Sequence, residues 1–181
     1  MKKFFMDTKT WIWIARIFLT LSCIVMIGWI FSNSLKDASE SSSQSAGVTE
    51  FVQEAVETIA PDLVIAETEE ETFEILHGWV RTAGHFCEFA LLCALLSWCV
   101  GSYTLKKPWF LIPVPFCVGV AFLDEYIQTF SDGRAWEFKD ILVDSLGALA
   151  GFAFAVFVIF AVVFLYRIWK NKRAQTPEKI L

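Results

Sequence analysis

The sequence predicts an all-α integral membrane protein with four membrane-spanning helices. Three observations carry that expectation. Hydrophobic residues make up 56% of the 181, with 18 Phe and 8 Trp, more than an ordinary soluble domain holds. They gather into segments long enough, or nearly so, to cross a ~30 Å hydrocarbon core as helices. The charges are also segregated along the chain. Eleven of the 15 Lys and Arg residues lie near the N-terminus (Lys2, Lys3, Lys9, Arg16), in one short loop (Lys106, Lys107) or near the C-terminus (Arg167, Lys170, Lys172, Arg173, Lys179). Residues 37–74 carry eleven acids and no Lys or Arg. Basic loops are retained on the cytoplasmic side. Both termini are therefore expected to be cytoplasmic, with the acidic loop outside.

The first span is expected over residues 11–31, interrupted by Arg16 near its start. A signal peptide is the rival reading, because Lys2 and Lys3 precede the apolar run, but signal h-regions are usually only about 7–15 residues long. Residues 32–80 form the outer loop. Its serine-rich start, 32–44, reads as a loosely ordered exit from the membrane. Phe51, Val52, Ala55, Val56 and Ile59 then follow at helical spacing with Glu50, Glu54 and Glu57 between them, an acidic amphipathic helix that Pro61 should end. A second short amphipathic piece could begin near Thr68. His77 has no local partner and reads as a surface or interfacial residue.

The second span is expected over 83–100. Arg81, His85 and Glu88 stand at i, i+4 and i+7 and so share one helical face near its outer end. A short inside loop follows. The apolar run 109–123 contains Pro113 and Pro115, which would kink a helix or move its start. At ~1.5 Å per residue it reaches only about 22 Å, so the third span must extend to about residue 130 and carry Asp124, Glu125 and Gln128 into the membrane. Asp124 and Gln128 share a face, whereas Glu125 points about 100° away. Only one of the two carboxylates is therefore expected to face the bundle centre squarely.

Ser131-Asp132-Gly133 reads as a turn, and the fourth span covers 141–166 before the tail 167–181. Asp140, Asp144, Gly147 and Gly151 form one stripe on it, carboxylates running into small residues that let another helix come close. The whole chain is one membrane domain, 1–181. The five cysteines lie in apolar segments without CxxC spacing, so neither a disulfide framework nor a zinc motif is indicated. Trp11, Trp79, Trp109, Tyr166 and Trp169 stand at span ends as interfacial anchors.

Ionisable residues inside spans are costly and usually functional. Three helices thus bring His85, Glu88, Asp124, Glu125, Gln128, Asp140 and Asp144 toward one side, with Arg81, Arg134 and Lys139 as the available cations. A purely structural polar network is one account. As an acid/base site, His85, Asp124 and Glu125 are the candidate catalytic groups, with an anionic phosphate held by Arg134. As a binding pocket, Arg81 and Arg134 would grip an anionic lipid head group or a lipid-linked cell-wall precursor, with Glu88, Gln128, Asp140 and Asp144 lining the site. A hard cation on Glu88, Asp124 and Asp144 is a further reading, but no short ligand motif supports it and no metal or cofactor is assigned. GxSxG, HExxH, GxxxxGK[ST] and GxGxxG are all missing, which removes support for soluble-type hydrolase, zincin and nucleotide-binding readings. The expected partner is the lipid bilayer, not nucleic acid.

The run Asp124-Glu125, Gln128, Gly133-Arg134, Asp140, Asp144, Gly147 and Gly151 resembles the DExxQ, GR and DxxxN/DxxGxxxG pattern of the VanZ-like membrane proteins. Arg81, His85 and Glu88 are similar to that family's basic-x-x-x-His segment opening its second span, and Phe31-Ser32-x-Ser34 to its exit from the first. The resemblance covers residues 11–166 or so and leaves out the acidic loop and the basic tail. It implies a multi-pass protein of the bacterial cytoplasmic membrane with a role in the cell envelope, the eponymous member being associated with resistance to teicoplanin-type glycopeptides. Asp144 stands where Asn is often expected, which adds a negative charge and makes room for a cation or a proton. A membrane hydrolase or transferase acting on a phospholipid, and a scaffold recruiting partners through the acidic loop, are the alternative functions.

Overall fold

Five α-helices and one 3-10 turn form a bundle in which α3 packs on every other element. The computed structural model describes residues 7–60, 63–106 and 108–175, and among these there is no strand. The helices are α1 (Thr8–Ser34), α2 (Ala38–Ile59), α3 (Glu69–Tyr103), α4 (Pro113–Gln128, preceded by the 3-10 turn Trp109–Leu111) and α5 (Phe138–Gln175). Four runs, Lys9–Ser34, Glu69–Tyr103, Trp109–Gln128 and Phe138–Lys172, are long and apolar enough to cross a membrane. The all-helical, four-span class expected from the sequence is what the structure shows.

The outer loop departs from expectation. Residues 32–44 are not loosely ordered. α1 runs on to Ser34, and after a three-residue turn α2 starts at Ala38, where the Asp37 carboxylate caps the Glu40 N–H. α2 stops at Ile59, two residues short of Pro61, which lies outside the described residues, as do Lys2, Lys3, Lys107 and Lys179. The segment from Thr68 is not a separate amphipathic piece either. Thr68 caps Glu71 N–H and opens α3, 35 residues that include the second span without a break. Three glutamates in its first turn, Glu69, Glu70 and Glu71, favour that start by opposing the helix dipole. His77, expected to stand alone, accepts or donates a 2.7 Å hydrogen bond with Ser45 Oγ and stacks on Phe73, tying α2 to α3.

Pro113 occupies the first turn of α4, where its missing N–H costs nothing, so the prolines set a start and do not kink the span. The third span ends at Gln128, slightly before residue 130, because the chain turns over at Thr129 to Gly133. Gly133 has φ +75 and is the one residue of that turn in the left-handed region.

In lipid, burying apolar surface gives little drive, so helix association rests on close packing. Ile30, Phe89, Leu92, Cys93, Cys117, Val120, Ala121, Ile141 and Ala148 from α1, α3, α4 and α5 make one buried cluster. The glycine stripe does what its spacing suggested. A Cβ at Gly147 would collide with the Phe86 carbonyl, and one at Gly151 with the Ala90 carbonyl, so α3 and α5 touch backbone to backbone. At the opposite end Arg16 donates to Ser102 O at 2.6 and 3.2 Å and lies 4.2 Å from the Tyr103 ring centroid, fixing the start of α1 beside the end of α3. All five cysteines are free, and Cys23, Cys93 and Cys117 are buried.

Candidate functional site

A cavity of about 570 Å³ opens where the C-terminal ends of α1 and α4 meet the start of α2 and the middle of α3. Arg81, His85, Glu88, Asp124, Gln128 and Arg134, all singled out by sequence, line it. The helical stack Arg81, His85, Glu88 therefore faces the cavity along one side of α3. Asp124 and Gln128, one turn apart on α4, face it from another side, and Gln128 Nε2 donates to Asp124 Oδ2 at 2.9 Å.

Behind this surface lies Asp144. The tight α3–α5 contact two turns further along α5 brings its fully buried carboxylate to 3.4 Å from His85 Nδ1. Among the described residues, neither Asp144 oxygen nor His85 Nδ1 has a hydrogen-bond partner. A carboxylate desolvated in this way is costly unless a cation or proton accompanies it. One ligand-capable atom from each of His85, Asp124 and Asp144 lies within 4.8 Å of the other two. The group that could hold a cation thus has His85 in place of Glu88. Glu88 is turned toward α1, where its Oε1 accepts from Trp29 Nε1 at 3.0 Å and Asn33 Nδ2 at 3.1 Å.

Of the two α4 carboxylates only Asp124 lines the cavity. Asp124 and Glu125 are both buried, at 1% and 0% exposure, on different sides of the helix. Glu125 Oε2 accepts the Glu137 N–H at 2.8 Å and so pins the chain entering α5. It does not line the cavity. Asp140 is half-buried one turn before Asp144 and is likewise not part of the cavity wall.

Arg134 is the basic group built into the site. Its Nη1 reaches Asn33 O and Ser34 O at 3.3 and 3.4 Å, and its Nη2 reaches Ser41 Oγ at 3.3 Å. It thereby clamps the end of α1 to the start of α2. Burial, and after it the charge of Arg81, pull its guanidinium below its ordinary value. Arg81 is exposed at the cavity mouth. Lys139 is exposed and lines no part of the cavity.

Sequence reasoning expected a three-helix site and missed the contribution of α1. Ser34 is buried, its Oγ donates to Asp124 Oδ1, and Ser131 Oγ returns a 2.9 Å hydrogen bond to Ser34 O. Trp29 and Asn33 hold Glu88. The available signal was the pair of polar positions, Asn33 and Ser34, each four residues after a residue of the same face, Trp29 and Ile30, at the end of an otherwise apolar helix.

A protein-family model described as VanZ/LLP1 matches residues 18–162, which span all four apolar helices and the whole cavity. No curated protein and no solved structure matches the chain.

Proposed function

Because the chain belongs to the VanZ/LLP1 family and carries a cavity lined by charged side chains among apolar helices, we propose that it receives the anionic head group of a lipid at that cavity and performs hydrolysis or transfer on it. One observation carries this reading: two arginines, His85 and Asp124 line one cavity, with the buried Asp144 carboxylate behind them. An anion entering it meets Arg81 at the mouth and Arg134 deeper in, planar donors suited to phosphate. Its phosphorus can then approach His85 and Asp124, the groups available to accept a proton from an attacking water or hydroxyl and return it to the leaving oxygen.

The charge distribution supports an orientation with both termini in the cytoplasm and the cavity facing outward. Arg16, Lys106, Arg167, Lys170 and Lys172 all belong to the end away from the cavity, and the acidic α2 lies on the cavity side. In a bacterial cytoplasmic membrane this would present the site to envelope lipids and lipid-linked cell-wall precursors, a placement through which the protein could contribute to glycopeptide resistance.

The deciding experiment is release of soluble phosphate or head group from anionic phospholipid and from a polyprenyl-linked phosphate by the purified full chain in nanodiscs. Turnover that H85Q lowers by about 10²-fold or more supports the reading. Absence of turnover on both lipid classes, across pH and divalent cations, overturns it. Teicoplanin susceptibility left unchanged by R134A and D124A at equal protein levels would remove the resistance role.

A further inference from the structure

Two carboxylates and one imidazole, each from a different helix, converge with ligand-capable atoms within 4.8 Å of one another. Asp144 is fully buried and, among the described residues, both its oxygens lack hydrogen-bond partners. We propose that His85, Asp124 and Asp144 bind a single divalent transition-metal cation, of the Zn²⁺ or Mn²⁺ kind, at the inner end of the cavity.

The charge argument comes first. A protonated His85 could offer Asp144 one N–H, at 3.4 Å, longer than the ~3.2 Å limit of an ordinary N–H···O bond. It would still leave the second Asp144 oxygen without a donor. A dication beside both carboxylates compensates the two negative charges at once.

The geometry agrees. Bonds of about 2.0–2.2 Å to nitrogen and carboxylate oxygen put neighbouring ligands of a tetrahedral ion about 3.4 Å apart, the separation of His85 Nδ1 and Asp144 Oδ1. The third atom, on Asp124, lies within 4.8 Å of the others. Asp124 is held for the purpose: Ser34 donates to one of its oxygens and Gln128 to the other, and each oxygen keeps a lone pair. Hydrogen bonds of that kind orient metal ligands and tune their basicity.

The donor set narrows the ion. One imidazole and two carboxylates are too nitrogen-rich for a dedicated Ca²⁺ cage and lack the thiolates that Cu(I) prefers. Because His85 and Asp124 border the cavity while Asp144 lies behind them, the fourth position faces the cavity, as in zinc sites that hold a water or substrate oxygen and unlike closed structural sites. The ligands come from positions 85, 124 and 144, so no short sequence motif announces them.

This rests on the proposed reaction and changes one part of it: with an ion bound, His85 and Asp124 would act as its ligands and not as free bases, and the ion would polarise a phosphate oxygen, but binding needs no substrate and is measured without one. The full chain in nanodiscs, stripped with a chelator, is titrated with Zn²⁺ and with Mn²⁺. One ion per chain is expected, with affinity lowered at least about tenfold in D144N and in H85Q and unchanged in H77Q, the other histidine. With Mn²⁺ bound, pulsed electron paramagnetic resonance should show coupling to one imidazole nitrogen in the wild type and in H77Q, and none in H85Q. Saturable binding by neither ion, or binding that D144N and H85Q both leave intact, overturns the proposal. If D144N does not fold, the nitrogen coupling and its loss in H85Q decide alone. A chain that binds the ion but turns over no lipid keeps this inference and loses the proposed reaction, and the converse result does the opposite.

Discussion

Ser34, the last residue of α1, donates its one hydroxyl proton to Asp124 Oδ1 on α4, with Ile30 O one turn back as a competing acceptor 3.0 Å from the same oxygen. Both residues are almost fully buried. A single hydroxyl thus fixes the end of the first span to a carboxylate that lines the cavity. Removing it leaves a buried acceptor without its donor, the situation in which a lost hydrogen bond costs most.

S34A is therefore expected to destabilise the protein by about 1–3 kcal/mol, read as the shift in unfolding midpoint in detergent. The cost should shrink when Asp124 is already changed to Asn, since the uncompensated charge is then gone. A double-mutant cycle that shows no coupling between positions 34 and 124 would mean that the contact contributes nothing.

The glycines of α5 give a paired prediction. G147A and G151A drive a methyl group into the Phe86 and Ala90 carbonyls of α3, and since backbone cannot rotate away as a side chain does, the helices must separate. Each should cost on the order of 1–3 kcal/mol or more and displace His85 from Asp144. G119A is the control: nothing lies within 4 Å of its Cβ position in α4, so it should be neutral or stabilising by up to about 1 kcal/mol. Thermal unfolding of the three variants side by side tests this, and equal behaviour of G119A and G151A would refute it.

The two arginines should separate by readout. R134A removes the donors that join Asn33 O, Ser34 O and Ser41 Oγ, so it should lower both stability and retention of anionic lipid in a binding assay. R81A, exposed at the mouth, should weaken anionic-lipid retention with little change in the unfolding midpoint, and its effect should fade at high salt because exposed charges are screened. Stability losses of equal size in the two variants would contradict this division.

How much of this was legible in the sequence follows from which forces set each feature. The spans, the start of α4 at Pro113 and the Gly147–Gly151 stripe are local: they follow from hydropathy, a missing N–H and a four-residue period. The same holds for Arg81, His85 and Glu88 sharing a face. What could not be read was which side chain from a distant segment meets which. Glu88 and His85 look equivalent in sequence, yet Trp29 and Asn33 take Glu88 toward α1 and leave His85 to Asp144. Asp124 and Glu125 are adjacent and both buried, but one faces the cavity and the other a backbone N–H of the following loop. The serine-rich 32–44 segment misled because its residues favour turns in isolation, whereas an Asp37 cap, the Arg134 clamp and the Ala38 N–H to Asp132 O bond of 3.1 Å order it as a helix.

That cap yields a pH prediction. The Asp37 carboxylate accepts the Glu40 N–H at 2.8 Å and the Ser39 hydroxyl at 2.7 Å, and these bonds, the backbone one foremost, hold its pKa below the usual carboxylate value. Since the folded value is the lower one, the cap's contribution is complete above the ordinary Asp range and is lost as pH falls through the depressed folded value. Amide exchange at the start of α2, corrected for intrinsic rates, should therefore be slow near neutrality and accelerate only in acid below that range. D37A should exchange fast at every pH, because Ala cannot cap, whereas D37N, a good capping residue without a titrating proton, should protect the helix start with no acid transition. Exchange in D37A that matches the wild type at neutral pH would show that the turn at Asp132 and the Arg134 clamp hold α2 without help from the cap.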